Sequence, residues 1–257
     1  MIQTIVLGPL TFHLYGLILG IAIVVGWWLT SRWVRKAGVI ESDYEHLFWY
    51  VVVGGIMGAR LYHVVDYWWY YQNHLTETVA LWKGGLGIWG AVMGGTIGLL
   101  SSKFKGQSSN KNQRYIMLDA AACALPLSQA IGRWGNFVNN ELFGKPTQVP
   151  WKLFIPEANR PTDYATFAYY HPLFLYESIL NLLLFLFFRY MAKGRWKVGS
   201  GKFLGGYLVG YGCIRILLEP LRIDAWRLGD MYAAQWFGLA AIVTGLIVIK
   251  TRISKLE

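Results

Sequence analysis

Seven runs of apolar residues, separated by polar segments, dominate the pattern of this chain. The apolar runs lie near residues 14–31, 46–66, 85–102, 115–131, 172–190, 203–219 and 232–249. A helix of about 20 apolar residues is long enough to cross the hydrocarbon core of a bilayer. The pattern therefore predicts an all-α polytopic membrane protein, with seven transmembrane helices in a single integral membrane domain over residues 1–257.

Composition supports a membrane protein. Of the 257 residues, 55% are hydrophobic and only 15% are charged, and the mean hydropathy is +0.35. Soluble domains carry about 25% charged residues, so this chain has too little polar surface to cover a soluble globule. Its two cysteines, Cys123 and Cys213, lie in apolar runs without metal-ligand spacing, which argues against a disulfide framework and a zinc site.

The formal net charge of +10 is spread over short basic clusters between the apolar runs, which argues against nucleic-acid binding. The first basic residue follows the first run, so that run lacks the basic leader of a cleaved signal peptide and is expected to remain as a helix. Cytoplasmic connections are enriched in lysine and arginine, and this rule predicts the N-terminus outside and the C-terminus inside. The predicted inner segments contain Arg32, Arg35 and Lys36; Lys103, Lys105, Lys111 and Arg114; Arg189, Lys193, Arg195, Lys197 and Lys202; and Lys250, Arg252 and Lys255.

One connection is much longer than the others. It covers about residues 132–171 and is rich in proline, asparagine and aromatic residues. It is too polar to cross a bilayer, and the predicted topology places it on the outer side. We therefore expect a small extracytoplasmic subdomain between helices 4 and 5.

Charged residues at membrane depth cost about 2.5–3.5 kcal/mol or more near the bilayer centre and are therefore functional candidates. Two groups lie at the outer ends of the first two helices. The first is His13 with Tyr15, which alone would more often anchor a helix at the interface. The second is Arg60 with His63, three residues apart and so on one helix face. Arg60 has the structural alternative of extending to the outer headgroups, since Asp66 marks the end of this run.

The strongest local signal is the segment GRWGNFVNNELFG at residues 132–144. The planar fork of Arg133 binds a phosphate through two hydrogen bonds. Three nearby amides add donors without charge, Glu141 either fixes an arginine or accepts a proton, and glycines allow a close backbone approach. A well-capped exit loop is the structural alternative. The amides are Asn136, Asn139 and Asn140.

A fourth group lies in YGCIRILLEPLR at residues 211–222. Tyr211, Arg215 and Glu219 are four residues apart and follow one stripe of the sixth helix. Pro220 is expected to end or kink the helix. The arginine and the glutamate are either a structural ion pair or part of a catalytic or headgroup site.

Together these motifs resemble the bacterial prolipoprotein diacylglyceryl transferase family. The resemblance covers nearly the whole chain and includes HLYG at the first helix, GGLGIWGAVMGG at residues 84–95 and HPLFLYE at residues 171–177. It implies a seven-helix enzyme of the bacterial cytoplasmic (inner) membrane. Such an enzyme moves the diacylglyceryl group of phosphatidylglycerol onto the lipobox cysteine thiol of a prolipoprotein signal peptide and releases glycerol phosphate, without a metal or cofactor.

The resemblance also implies site residues, position by position. Those that match family motifs are Tyr15, Arg133, Asn136, Glu141, Gly144, Tyr211, Arg215, Glu219 and Arg222. We expect catalytic roles for Arg133, Arg215, Glu141, Glu219, Tyr15 and His63. We expect the headgroup to be bound by Arg133, Asn136, Gly144, Arg60, Tyr211 and Arg222.

One position departs from the family pattern. Many members have a histidine, often proposed as the base, where this chain has Trp89. His63 is a candidate replacement from another helix, and arginine-assisted ionisation with Glu141 or water as acceptor is the alternative. A lipid or anion transporter or flippase remains the second functional class, although its site would usually lie near the midplane.

Overall fold

A computed structural model describes residues 4–7, 10–38, 41–81, 84–101 and 111–253. Of the basic residues in the sequence pattern, Lys83, Lys103, Lys105 and Lys255 lie outside the described residues.

Eight α-helices are present in the described part of the chain. They are α1 (Leu14–Lys36), α2 (Glu41–Asp66), α3 (Trp68–Tyr71), α4 (Ile88–Ser101), α5 (Lys111–Val138), α6 (Leu173–Met191), α7 (Lys202–Leu218) and α8 (Ala233–Ile253). Every helix except α3 overlaps one of the seven apolar runs, so the predicted helix positions are confirmed. Five helices, α1, α2, α5, α6 and α8, are long and apolar enough to cross a membrane. The chain is therefore a helical, multi-pass membrane protein.

Short strands accompany the helices, and the sequence pattern did not predict them. β1 (Thr4–Leu7) pairs with β2 (Leu10–His13), β3 (Leu153–Phe154) with β4 (Tyr169–Tyr170), and β5 (Arg227–Leu228) with β6 (Met231–Tyr232), all antiparallel. Short 3₁₀ helices cover Leu75–Val79, Glu157–Asn159, Thr162–Tyr164 and Glu219–Leu221. The strands β3 to β6 have only two residues each, which is too short to show a period-2 pattern in the sequence.

The chain forms two compact units. The first contains residues 1–33 and 115–257. Its core includes Cys123 of α5, Phe188 of α6 and Phe203 of α7, which are almost fully buried. Helices α7 and α8 pack closely at Gly212, where an added Cβ would lie 2.6 Å from the carbonyl oxygen of Gly238. Close approach through small residues is typical of membrane helices.

The second unit contains residues 34–114, with α2, α3 and α4. Helices α2 and α4 pack through glycines. A Cβ added at Gly90 would lie 2.1 Å from the carbonyl oxygen of Gly58, and one at Gly94 would lie 2.1 Å from that of Gly54. The glycine-rich segment therefore allows close helix packing, as its composition suggested.

Candidate ionic site at the ends of helices α5 to α7

An ionic network in the first unit joins side chains from three helices. Nη2 of Arg133 on α5 lies 2.5 Å from Oε1 of Glu177 on α6, and Nη1 of Arg215 on α7 lies 4.0 Å from Oε2 of the same carboxylate. Nη2 of Arg215 lies 2.6 Å from Oε2 of Glu219, and Nη1 of Arg222 lies 3.9 Å from that oxygen. Four predicted site residues are thus brought together, with Glu177 at the centre.

Charge is not balanced within this network. Three arginines face two glutamates, so the five side chains carry one net positive charge. The carboxylates of Glu177 and Glu219 are buried, whereas the side chains of Arg133, Arg215 and Arg222 are 24%, 18% and 29% exposed. Nε of Arg133 has no hydrogen-bond partner among the described residues. The exposed side of the network therefore presents guanidinium groups, an arrangement that favours an anionic ligand.

The C-terminal end of α5 forms a Schellman motif. Asn140 takes the left-handed position with φ 54°, Glu141 donates its backbone N–H to the carbonyl of Asn136 at 2.9 Å, and Asn140 donates to the carbonyl of Phe137 at 3.1 Å. These bonds satisfy carbonyls that a helix end leaves unpaired. The capped exit loop and the polar site are therefore the same segment. Leu142 also has a positive φ, 55°, which is strained for a bulky residue.

The predicted polar residues of this segment contact one another. Nδ2 of Asn136 donates to Oε1 of Glu141 at 2.7 Å, and Nη1 of Arg133 lies 3.4 Å from Oδ1 of Asn136. Glu141 therefore binds an amide in this structure and not an arginine directly. Asn136 connects the Glu141 carboxylate to the arginine network.

Two tyrosines border the network. The ring of Tyr15 packs on Gly135, where an added Cβ would lie 2.9 Å from the ring, and its hydroxyl interacts electrostatically with Glu141 and Arg133. The Tyr211 hydroxyl interacts electrostatically with Arg133. Its ring stacks on that of Tyr207 with centroids 5.8 Å apart. Both predicted tyrosines thus lie at the site.

Gly144 holds the long connection against the end of α7. Its N–H donates to the carbonyl of His171 at 2.8 Å, and it forms an isolated antiparallel bridge with Arg222. A Cβ at Gly144 would lie 2.7 Å from the carbonyl oxygen of Leu221, so the position has no room for a side chain. Burial lowers the pKa of the His171 imidazole below its usual range, which favours a neutral ring at this position.

An apolar cleft of about 290 Å³ lies between α1, α5 and α6 in the same unit. Two of its lining residues, Trp134 and Ser178, directly follow Arg133 and Glu177 in the sequence. The lining residues are Ile18, Ile21, Leu127, Ala130, Ile131, Trp134, Ser178 and Leu182. The ionic network therefore lies on helices that also form an apolar cleft.

Arg60 and His63 belong to the second unit. The Arg60 guanidinium is buried, with 6% of the residue exposed, and it donates to backbone carbonyls of Glu77, Thr78, Gly84 and Gly85. It also lies over the ring of Tyr71, with Cζ 5.3 Å from the ring centroid. Its donors therefore hold the backbone of residues 77–78 and 84–85.

His63 lies beside the same segment. A Cβ added at Gly85 would lie 2.5 Å from the His63 ring and 2.8 Å from Nη1 of Arg60, so the two side chains share a helix face as predicted. The His63 ring also contacts Tyr67, with centroids 4.6 Å apart. Trp89 lies in the first turn of α4 and is half exposed.

Sequence reasoning did not single out Glu177, although its motif was part of the resemblance. Only 3% of this residue is exposed, and it contacts two arginines. The sequence does contain a signal for Glu177, because a carboxylate inside the apolar run 172–190 has the same high cost at membrane depth that identified the other candidates.

Comparisons with known proteins identify the family of this chain. A family model described as prolipoprotein diacylglyceryl transferase matches residues 3–251. The phosphatidylglycerol–prolipoprotein diacylglyceryl transferase of Thermosynechococcus vestitus is 39% identical over 242 residues, which cover 94% of this chain and 89% of that protein. The proteins of the same name from Trichormus variabilis and Gloeobacter violaceus are 41% and 40% identical, over 93% and 94% of this chain and 85% and 88% of their own lengths. The chain therefore belongs to the prolipoprotein diacylglyceryl transferase family.

Proposed function

We propose that this chain transfers the diacylglyceryl group of phosphatidylglycerol to the lipobox cysteine thiol of prolipoproteins. The observation that carries this proposal is the network of three arginines and two buried glutamates, whose remaining positive charge suits an anionic phospholipid headgroup. The names of its relatives specify the same lipid and the same protein substrate. The transporter alternative has no support in these comparisons, because the matching family and these relatives are transferases.

In the proposed reaction, the cysteine sulfur forms a bond to the glycerol carbon of the lipid that carries the phosphate. The bond between this carbon and the phosphate oxygen breaks, so a thioether forms and glycerol phosphate leaves. The thiol proton passes to an acceptor. Nearby guanidinium groups favour the thiolate over the thiol. They also stabilise the charge that builds on the departing phosphate, an effect worth several kcal/mol in a water-excluded site.

We assign the headgroup phosphate to the guanidinium groups of Arg133, Arg215 and Arg222, because these face the accessible side of the network. Glu177 and Glu219 hold the arginines in place. Asn136 and Tyr211 add polar groups, and Gly144 allows the backbone to approach closely. The apolar cleft beside Trp134 and Ser178 suits an acyl chain of the same lipid, because the chain can enter the cleft from the bilayer without contacting water.

Two side chains are candidate acceptors for the thiol proton. Glu141 belongs to the same unit as the arginines, and Tyr15 interacts with its carboxylate. His63 supplies an imidazole from the second unit, beside residues 84–85. We assign Arg60 to holding the backbone of residues 77–78 and 84–85, because backbone carbonyls occupy its donors. Contact with the headgroup, which the sequence predicted for Arg60, is secondary to this role.

We further propose seven membrane spans, with α4 and α7 added to the five long apolar helices. α4 has 14 residues and α7 has 17, which correspond to lengths of about 21 and 26 Å. The basic inner segments support an outer N-terminus and an inner C-terminus, with residues 132–171 as an outer subdomain. A C-terminal reporter that is active only on the outer side would contradict this topology.

The test of function is an assay of purified protein with phosphatidylglycerol and a lipobox peptide. We expect the peptide to gain the mass of one diacylglyceryl group, and to gain none with phosphatidylcholine. Arg133→Lys keeps the charge but loses the planar fork, so it should lose most of the activity. Arg195→Lys, at an exposed arginine of the α6–α7 connection, is the matched control and should retain it. A folded preparation that adds no mass contradicts the proposal.

A further inference from the structure

Asp119 of α5 is fully buried and binds backbone groups of another helix. Its exposure is 0%. Oδ2 accepts hydrogen bonds from the N–H groups of Gly199 at 2.8 Å and Gly201 at 3.1 Å, and Oδ1 accepts one from Leu204 at 2.7 Å. The reaction proposed above does not use this group.

These donors surround the N-terminus of α7. The helix starts at Lys202, after Gly201 with φ 77°, and no side chain of the N-cap residue bonds to the first turn. The first N–H groups of a helix lack partners within it, and a negative charge is favourable at this end. Asp119 therefore caps α7 from α5, in place of a local N-cap side chain.

The other end of α7 carries the ionic site. Tyr211 interacts electrostatically with Arg133 of α5, and Nη1 of Arg215 lies 4.0 Å from Glu177 of α6. Between the two ends, Nε2 of Gln129 donates to Oη of Tyr207 at 2.8 Å. Each residue of an α-helix advances the axis by about 1.5 Å. A slide of α7 by less than one residue would thus remove Arg215 from Glu177.

We propose that Asp119 is a positioning residue for the reaction. It fixes α7 along its axis against α5, the helix that carries Arg133, and so sets the distance between Arg215 and the Glu177–Arg133 pair. This inference rests on the proposed diacylglyceryl transfer. It assigns a role in turnover to a carboxylate at the opposite end of α7 from the ionic site.

The first test is Asp119→Asn, which keeps the volume but removes the charge and turns one acceptor into a donor that faces backbone N–H groups. We expect turnover per folded molecule to fall by about tenfold or more and KM for phosphatidylglycerol to rise, because Arg215 both binds the headgroup and stabilises the transition state in the proposed reaction. Thr30→Val is the control: Thr30 is buried and its hydroxyl bonds only within α1, to Gly26 at 2.8 Å. A lower thermal midpoint with unchanged turnover would show a purely structural role and overturn the proposal.

A double-mutant cycle with Arg215→Lys tests the route of the effect. If Asp119 acts through Arg215, Asp119→Asn should cost clearly less turnover in the Arg215→Lys background than in the wild type, since coupled residues are not additive. Equal losses in the two backgrounds would overturn the proposal. If the wild-type protein shows no turnover, both the proposed function and this inference are contradicted. If the wild type is active and Asp119→Asn turns over equally fast, only the inference is contradicted.

Gly199→Ala provides a second variant if Asp119→Asn does not fold. Gly199 has φ 94°, and an added Cβ would lie 2.7 Å from Cγ1 of Ile116, so the substitution displaces one N–H donor without changing Asp119. We expect a smaller loss of turnover in the same direction. Wild-type turnover in folded Gly199→Ala, together with an unfolded Asp119→Asn, would overturn the proposal.

Discussion

Arg133 and Glu177 form the shortest ion pair of the network, with 2.5 Å between Nη2 and Oε1. The other oxygen of Glu177 faces Arg215 at 4.0 Å. One buried carboxylate therefore holds two arginines that would otherwise repel each other. This arrangement keeps two guanidinium groups together before an anion binds, which is the preorganisation that electrostatic catalysis needs.

Glu177→Gln should therefore impair both activity and stability. The amide keeps the shape, but it leaves Arg133 and Arg215 without their shared anion, and breaking a buried ion pair costs about 3–5 kcal/mol. We expect turnover to fall by about tenfold or more, measured per folded molecule, with a lower thermal midpoint. Glu157→Gln, at an exposed position of the long connection, should change neither. A Glu177→Gln variant with normal turnover would show that the pair is not needed for catalysis.

The Arg215–Glu219 pair has two interpretations that a double variant separates. Arg215→Ala and Glu219→Ala should each reduce activity, since each removes the nearest opposite charge of its partner. Replacing both residues with leucine removes the charges together, and a purely structural pair often tolerates this change. We expect the double leucine variant to fold, as judged by size-exclusion chromatography and thermal unfolding, and to lack transferase activity. Normal turnover in this variant would rule out a catalytic role for the pair.

The positions of the long helices could be predicted because an apolar run needs only local sequence to be recognised. The arginines and Glu219 could be predicted for a similar reason, since a charge inside such a run has a high cost. The partners of these charges could not be predicted. Glu177 is 44 residues from Arg133, and a contact over such a separation depends on how helices pack.

Arg60 shows the same limit in another way. Its position in an apolar run marks it as unusual, but the sequence does not show that backbone carbonyls of residues 77–78 and 84–85 bind its guanidinium. Asp119 also bonds to backbone groups, about 80 residues away. Every residue has a backbone carbonyl and every residue except proline has a backbone N–H, so no residue pattern identifies them as partners of a buried charge.

Gly144 offers a steric test with a matched control in the same motif. In Gly144→Ala, the new Cβ would lie 2.7 Å from the carbonyl oxygen of Leu221, and overpacking of this kind costs about 1–3 kcal/mol. Because Gly144 holds the long connection beside Arg222, we expect a large loss of activity and a lower thermal midpoint. Gly132→Ala adds the same methyl group where no atom lies within 4 Å, and it should remain active. Equal activities for the two variants would remove the steric role of Gly144.

Trp89 leaves the proton acceptor of the mechanism open, because an indole cannot accept the thiol proton. His63 and Glu141 are the candidate acceptors. An imidazole changes its charge between about pH 5 and 8, and it must be neutral to accept a proton. If His63 is the base, activity should fall as the pH is lowered through this range, and His63→Gln should lose most turnover together with this acidic limb. Glutamine keeps a hydrogen-bond donor and acceptor but does not titrate, so a role in helix packing alone would leave the pH profile unchanged.

His74→Gln, at an exposed histidine of the same unit, is the control and should resemble the wild type. A His63→Gln enzyme with normal turnover and an intact acidic limb would exclude His63, and the same pH series on Glu141→Gln would then test the carboxylate that Asn136 connects to the arginines.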